Sequence, residues 1–445
     1  MLEAGFGKVD ITPRVGVDLC GFGPFVSRHS IGVRDRLWAR AVALRAGGQT
    51  AVIISCDLVG VVLEITHRTR ALICAGSDVD AAAVMVHCTH THSGPNTVSR
   101  LAGWGDPDPP YIEVLPGKLA QAGLAAVADL KPATLSHAAT PCEGIGLNRE
   151  YDVDHPPLEE VLDEDWRPAK PELTDTVCHV LRLDVEGGEG GFLVSFGCHP
   201  VVCCEQTRYI HGDYCGVAMG LLERERPGVT GLFLQGAQGD VNTCVVHKPE
   251  PESLLALDVV AGRLARAVRR GLAEARPLAV DDLRAAVREV AFTRRDWGLD
   301  ELRRRLAEQE AILHAPDADD GDRSVRMATV YAIALRALIQ RAEAGGSLQP
   351  ASELQGISLG PLAFLGAPFE IFQAIKNEVR DASARDLPLV MGLTNDMLGY
   401  APDRTAAARG GYAADMVPLM VGELPFADIH DELARELKAL DADLG

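Results

Sequence analysis

At 445 residues, 47% hydrophobic and 24% charged, the chain has an ordinary globular composition, with length for one large domain or two smaller ones. Forty-three Lys and Arg against 63 Asp and Glu leave a formal charge of −20, which repels phosphate backbones and anionic lipid heads and so argues against nucleic acid or a membrane surface as partner. The 11 cysteines, an odd number with no CxxC pair, read as reduced buried thiols in a cytoplasmic protein and argue against a cysteine-based structural zinc site.

Aromatic residues are only 5%, so Leu, Val and Ala must fill the core. Met1–Pro13 lacks a basic patch followed by an apolar segment, so it reads as domain sequence without an export signal. No apolar run reaches the ~18 residues of a membrane span.

The pattern predicts a buried strand at Thr50–Cys56, a second at Ala81–Cys88, and a helix over Glu113–Leu130 stopped by Lys131-Pro132. Asp152–Thr174, rich in acid and proline, reads as a long surface loop. Val177–Val185 and Gly191–Cys198 flank a glycine-rich turn and predict a hairpin, and Thr230–Gln235 predicts a short buried strand. Ser253–Ala275 has strong helical periodicity, and Leu299–Ala344 reads as a helical hairpin broken at Ala315–Asp322. Strands are expected at Ile357–Leu365 and Leu387–Leu393, each followed by a helix, with a closing helix over Phe426–Leu440. The alternation without a linker points to one α/β domain over 1–445 with mixed β-sheets flanked by helices. The hairpin at about 299–345 reads as an insertion on it.

The densest polar feature is His87-Cys88-Thr89-His90-Thr91-His92, directly after an apolar strand. Residues two apart in extended chain share a face, so His90 and His92 point to one side and His87 to the other. Two imidazoles at a strand end can begin a metal site; the bland alternative is a surface histidine cluster. Ser93-Gly94-Pro95 then turns the chain. Metallo-β-lactamase-like proteins also carry HxH but continue to Asp-His, whereas Ser93-Gly94 follows here. His199-Pro200 ends another strand. His211-Gly212-Asp213 and Gln235–Asn242 lie at further strand ends, where Asp213 and Asp240 either orient histidines or cap turns.

These pieces in this order, with Val9-Asp10-Ile11-Thr12-Pro13, Ser55-Cys56-Asp57-Leu58, Asn148-Arg149, Pro368-Phe369-Glu370 and Asn395–Tyr400, resemble the catalytic domain of the neutral/alkaline non-lysosomal ceramidase family over nearly the whole chain. The resemblance implies a hydrolase with one Zn²⁺ per chain, held by His90, His199, Glu370 and Tyr400. It places His92 beside the metal and Arg149 and Tyr412 on the reacting group as the catalytic residues. It also implies a small-molecule substrate.

Three departures shape the expectation. Asn242 stands where ceramidases carry a serine in the reaction centre, so a serine nucleophile is excluded and metal-activated water favoured. The family's C-terminal β-domain is not read in this chain, and neither is an export signal. The expected reaction is therefore hydrolysis of the amide of an N-acyl compound smaller and more polar than ceramide. An ester or lactone hydrolase with the same metal site is the alternative, and a non-catalytic metal-dependent binding protein a third reading.

Overall fold

The computed structural model describes residues 1–98, 103–152 and 156–445. The Thr50–Cys56 run becomes strand Gln49–Cys56, central because its β-branched side chains are buried on both faces. It lies in a sheet whose order is Thr230–Gln235, Gly191–Phe196, Val177–Val185, Lys131–Pro141, Glu3–Asp10, Trp38–Ala46, Gln49–Cys56 and Val84–Cys88, with Arg276–Leu278 attached to Lys131–Pro141. Both terminal pairs are parallel, Val84–Cys88 on Gln49–Cys56 and Thr230–Gln235 on Gly191–Phe196, and the pairs between them on this path are antiparallel.

The two ends of this sheet fold back on each other. The Gln235 N–H donates to His87 Nε2 at 2.7 Å and the Ser55 hydroxyl to the Phe233 carbonyl at 2.6 Å. His87 can accept because burial pushes its pKa down to about 3, which keeps the imidazole neutral. The carboxyl ends of Val84–Cys88, Gly191–Phe196 and Thr230–Gln235 thus converge, and the loops that leave them carry the motif histidines.

A second, four-stranded sheet is ordered Leu283–Ala291, Ala351–Leu359, Leu362–Gly366 and Leu387–Met391. Helices Gln373–Ala382 and Ile429–Asp443 share an apolar cluster with it. Helices Leu299–Leu313 and Arg323–Glu343 pack on each other over a small cluster of Leu302, Leu335, Leu338 and Leu424. The fold is mixed α/β, as the alternation of elements implied.

Several boundaries differ from the sequence reading. The expected strand at Ile357–Leu365 is two antiparallel strands, because Gly360, at φ +57°, turns the chain between Leu359 and Leu362. Ala81–Ala83 is a 3₁₀ turn whose first free amide is capped by Asp80, and the strand starts at Val84. The Glu113–Leu130 helix begins earlier, at Pro109, where proline suits a first turn, and the Ser253–Ala275 helix spans Glu250–Glu274. The Asp152–Thr174 loop holds a short helix, Leu158–Val161, while its residues 153–155 lie outside those described. All 11 cysteines are unpaired, and only Cys74 is not fully buried. Among the described residues no helix is long and apolar enough to cross a membrane.

Candidate metal centre

His90 sits two residues past strand Val84–Cys88, in the left-handed region at φ 72°. A non-glycine residue there costs roughly 1–3 kcal/mol unless its surroundings impose it. Here they do: the His90 N–H donates to the Leu58 carbonyl at 2.9 Å, and the ring Nδ1 lies 2.6 Å from the Val59 carbonyl. His199 is held in the same way. Its N–H donates to the Val241 carbonyl at 2.9 Å and its Nδ1 lies 2.6 Å from the Gln238 carbonyl. A carbonyl oxygen only accepts, so both Nδ1 atoms carry a proton and both Nε2 atoms are turned inward.

Glu370 and Tyr400 come from a two-stranded parallel ladder, Glu370–Ile371 on Tyr400–Ala401, in which they are direct partners. Glu370 Oε2 lies 2.8 Å from His199 Nε2 and 3.3 Å from His90 Nε2, and the Tyr400 phenol oxygen lies 3.5 Å from His199 Nε2. All four residues are buried. Burial opposes the Glu370 charge, yet His90 and His199 hold its carboxyl well below the usual range. Burial pushes His199 down to about 4 despite Glu370, with Arg149 adding to the shift. Burial also raises the Tyr400 phenol well above its ordinary value, with Arg149 opposing.

At 2.8 Å, His199 Nε2 and the Glu370 carboxylate take either a proton or a metal ion between them. Three nitrogen and oxygen bases converge with a phenol, and a small cavity of about 30 Å³ touches His90, His92, Glu370 and Tyr400. That volume suits one water or ion. The donor set of neutral nitrogen with anionic oxygen fits a Zn²⁺-like ion.

Although His90, at φ 72° beyond the strand end, breaks the extended chain on which the period-of-two reading rested, His92 lies on the His90 side. Its Nε2 is 3.2 Å from His90 Nε2, and the ring nitrogens of His90, His92 and His199 all lie within 4.8 Å of one another. Its Nδ1 is buried without a partner. Burial first, then His90 and His199, keep His92 well below its ordinary pKa, so it is a neutral base. Gly21 makes room for it: a Cβ there would stand 2.3 Å from His92 Cγ.

Arg149 follows strand Gly146–Asn148, which pairs with Val241–Thr243, and this brings it beside Asn242. Its Nη1 donates to Asn242 Oδ1 at 3.4 Å, its guanidinium stacks 4.8 Å from the Tyr400 ring centre, and its Nη2 is buried without a partner. Burial works against its charge, but Tyr400 and Glu370 outweigh that and raise its pKa. Tyr412 stands further out, 45% exposed, its ring 5.8 Å from that of Tyr400. His92, Arg149, His199, Asn242, Tyr400 and Tyr412 all line a cavity of about 550 Å³.

The other motif residues do not join this centre. Asp240 accepts from the Gln373 N–H at 2.9 Å and from Asn148 Nδ2 at 2.9 Å, so it ties loops together and orients no histidine. Asp213 accepts from the backbone N–H groups of Val202, Cys203 and Tyr214. Cys203, His211 and Asp213 form a second buried group within 4.8 Å. There, however, His211 Nδ1 accepts the Asp213 N–H at 3.1 Å and the carboxylate is committed to the backbone, so the trio reads as a braced turn. Gly21, Phe22 and Phe25 also line the cavity and escaped the sequence reading. The available signal was two aromatics inside Gly21-Phe22-Gly23-Pro24-Phe25 in an aromatic-poor chain.

A curled mixed sheet with a buried His/His/Glu/Tyr centre at the floor of a cavity defines the class by fold and site. The sequence pattern of the neutral/alkaline non-lysosomal ceramidase family, N-terminal part, matches residues 2–246, and the chain belongs to that hydrolase family. It is 24% identical over 259 residues to the neutral ceramidase of Pseudomonas aeruginosa strain PAO1, covering 55% of this chain but only 37% of that protein. The crystal structure of neutral ceramidase from Pseudomonas aeruginosa superimposes with a TM-score of 0.75 at 19% identity, covering all of this chain and 75% of that one. A ceramidase complexed with C2 gives 0.77 at 18% identity with the same coverage, and both likenesses speak for the fold.

Proposed function

We propose that this chain is a metal-dependent hydrolase that cleaves the amide of an N-acyl compound, with one zinc-like ion held by His90, His199, Glu370 and Tyr400. The observation that carries the reading is the convergence of four buried donor side chains: Glu370 Oε2 lies 2.8 Å from His199 Nε2 and 3.3 Å from His90 Nε2, with the Tyr400 phenol 3.5 Å from His199 Nε2. A bound ion of this kind acidifies a water molecule and polarises a carbonyl.

The chain's own residues supply the rest. His92, neutral and with its Nε2 turned to the centre, accepts the proton lost by the attacking water and delivers it to the departing nitrogen. Arg149 points its unpaired Nη2 at the charge that develops on the carbonyl oxygen. Tyr412, at the cavity wall, adds a second hydroxyl donor. The balance is one water consumed, the C–N bond broken, and a carboxylic acid and an amine released. Asn242 offers no nucleophilic hydroxyl, which leaves water as the nucleophile.

The test is paired. Protein purified without chelator is expected to carry close to one equivalent of zinc and to hydrolyse medium-chain N-acyl amides, and His90→Ala to lose both. A metal-free, correctly folded wild type that turns over no amide would sink the reading. Because Asn242 reshapes the carbonyl wall, an ester or lactone substrate is the second reading, and rates on matched amide and ester pairs separate them. The 11 unpaired cysteines favour a cytoplasmic setting.

A further inference from the structure

The cavity above the centre has a charge sign opposite to that of the chain. Among the described residues none of its lining side chains is Asp or Glu, although the sequence has 63 of them and a formal charge of −20. The cations that line it are Arg149, Arg323 and Arg326. Much of the remaining lining is apolar: Phe22, Phe25, Val26, Met327, Met416 and Met420.

Arg323 and Arg326 occupy the first and fourth positions of helix Arg323–Glu343, whose first turn contains no acidic residue, although Asp322 precedes it at the N-cap. A helix N-terminus carries partial positive charge, so arginine there is placed against the dipole and weakens the helix. The exposed Arg323 makes no hydrogen bond or ion pair with any described residue. Arg326 is positioned: its Nε donates to the Asp320 carbonyl at 2.8 Å and its Nη1 to the Phe25 carbonyl at 3.3 Å. The exposed aspartates of the preceding loop are not among the cavity-lining residues. Two guanidinium groups on the lining of a largely apolar cavity suit a carboxylate.

We propose that the substrate is an anionic amphiphile: an N-acyl compound with a carboxylate on its amine side, held by Arg323 and Arg326, its apolar chain lying along the Phe22, Phe25 and Met walls. This rests on the amidase reading above and narrows it. The carboxylate remains with the released amine, so hydrolysis gives a fatty acid and an amino acid. The helical hairpin thereby sets specificity without touching the reacting bond.

The experiment uses the holoenzyme and three probes with one acyl chain: N-dodecanoyl-glycine, N-dodecanoyl-glycinamide and N-dodecanoyl-ethanolamine. kcat/KM for the acid is expected to exceed that for the two neutral amides by about tenfold, since two exposed ion pairs each contribute roughly a threefold preference. The preference should fall at 0.5 M salt. In Arg323→Ala/Arg326→Ala the acid-to-carboxamide ratio should drop to near one, mainly through KM, while the double Lys variant keeps most of it. Calorimetric binding of the same three probes gives an independent readout. Equal turnover of acid and neutral amides, abolished in His90→Ala, overturns the anionic assignment and leaves the amidase reading standing. Selective binding of the acid with no turnover of any probe sinks the amidase reading but keeps the assignment of the arginine pair as an anion site. Absence of both selectivity and binding overturns it.

Discussion

Glu370 and Tyr400 face each other across a two-residue parallel ladder, so one backbone pairing sets both oxygen donors of the centre. The ladder continues as Ile371 on Ala401, both fully buried, which anchors the pair from below. Two anionic-capable groups in one register position make the carboxylate the stronger ligand, since burial keeps the phenol protonated unless a cation draws its proton away.

Their removal should therefore have unequal effects. Glu370→Gln is expected to abolish stoichiometric metal retention, because only the neutral nitrogens and the phenol remain. Tyr400→Phe is expected to keep the metal at an affinity lowered by about 10–100-fold, the range seen when a group supporting a metal site is lost. Competition with a zinc chelator on both variants measures this. Equal affinities in the two would show that the carboxylate is not the dominant anionic ligand.

Gly21→Ala should damage the site without touching a ligand. Gly21 has φ +132°, a region closed to side chains, and its Cβ would meet His92 Cγ at 2.3 Å. The expected outcome is a stability loss of about 1–3 kcal/mol and a fall in kcat with metal content retained, because His92 must move while His90 and His199 stay tethered to their carbonyls. Denaturant titration alongside zinc analysis checks both halves.

The parts of the site that the sequence made legible are those with local signatures. His90 and His92 follow a buried strand, which marked them as a strand-end pair, although the left-handed His90 and not an extended period of two sets their geometry, and His199 stands at a strand end before a proline. Glu370 and Tyr400 had no such signature. A two-residue strand shows no periodicity, and only the family resemblance pointed to them. Strand Leu283–Ala291 escaped because it is mostly half-exposed and alternates poorly, and the Ile357–Leu365 run hid a turn because Gly360 is flanked by apolar residues on both sides. Of the two readings open for Asp213 and Asp240, capping of turns holds and orientation of a histidine does not, for a plain reason. Backbone amides and the Asn148 side chain already claim their oxygens.

Acid should destabilise this protein through His87. Its folded pKa is about 3 because of burial, against about 6.5 in an unfolded chain. As pH falls below 6.5 the unfolded state takes up a proton that the folded state refuses, so stability falls with falling pH until about 3. The slope approaches 1.36 kcal/mol per pH unit for this one group. His87→Gln keeps an acceptor for the Gln235 N–H and removes the titration. Its stability from guanidinium titrations at pH 7, 6 and 5 should decline less steeply than that of wild type. Parallel curves for the two proteins would contradict the assignment.

The Asp57 of the Ser55-Cys56-Asp57-Leu58 segment leads to a last prediction, since its role is structural. Arg40 reaches Asp57 Oδ2 through Nη1 at 2.9 Å and Glu223 Oε1 through Nε at 3.0 Å, with all three side chains no more than 8% exposed. Lys8 caps the same Glu223 at 2.7 Å from the partly exposed side. Arg40 is the only cation that bonds both carboxylates among the described residues. Arg40→Ala therefore leaves the buried Asp57 carboxyl, its pKa already pushed up by burial, without its charge partner, a loss of the kind that costs about 3–5 kcal/mol. Asp57→Asn leaves Arg40 paired with Glu223 and should cost less. The network joins strand Trp38–Ala46 to helix Asp213–Glu225 and does not reach the metal ligands. Arg40→Ala is accordingly expected to lower the melting temperature sharply while the surviving folded protein keeps its zinc and its kcat/KM. A variant with intact stability but lost activity would instead place this ion network in the catalytic machinery.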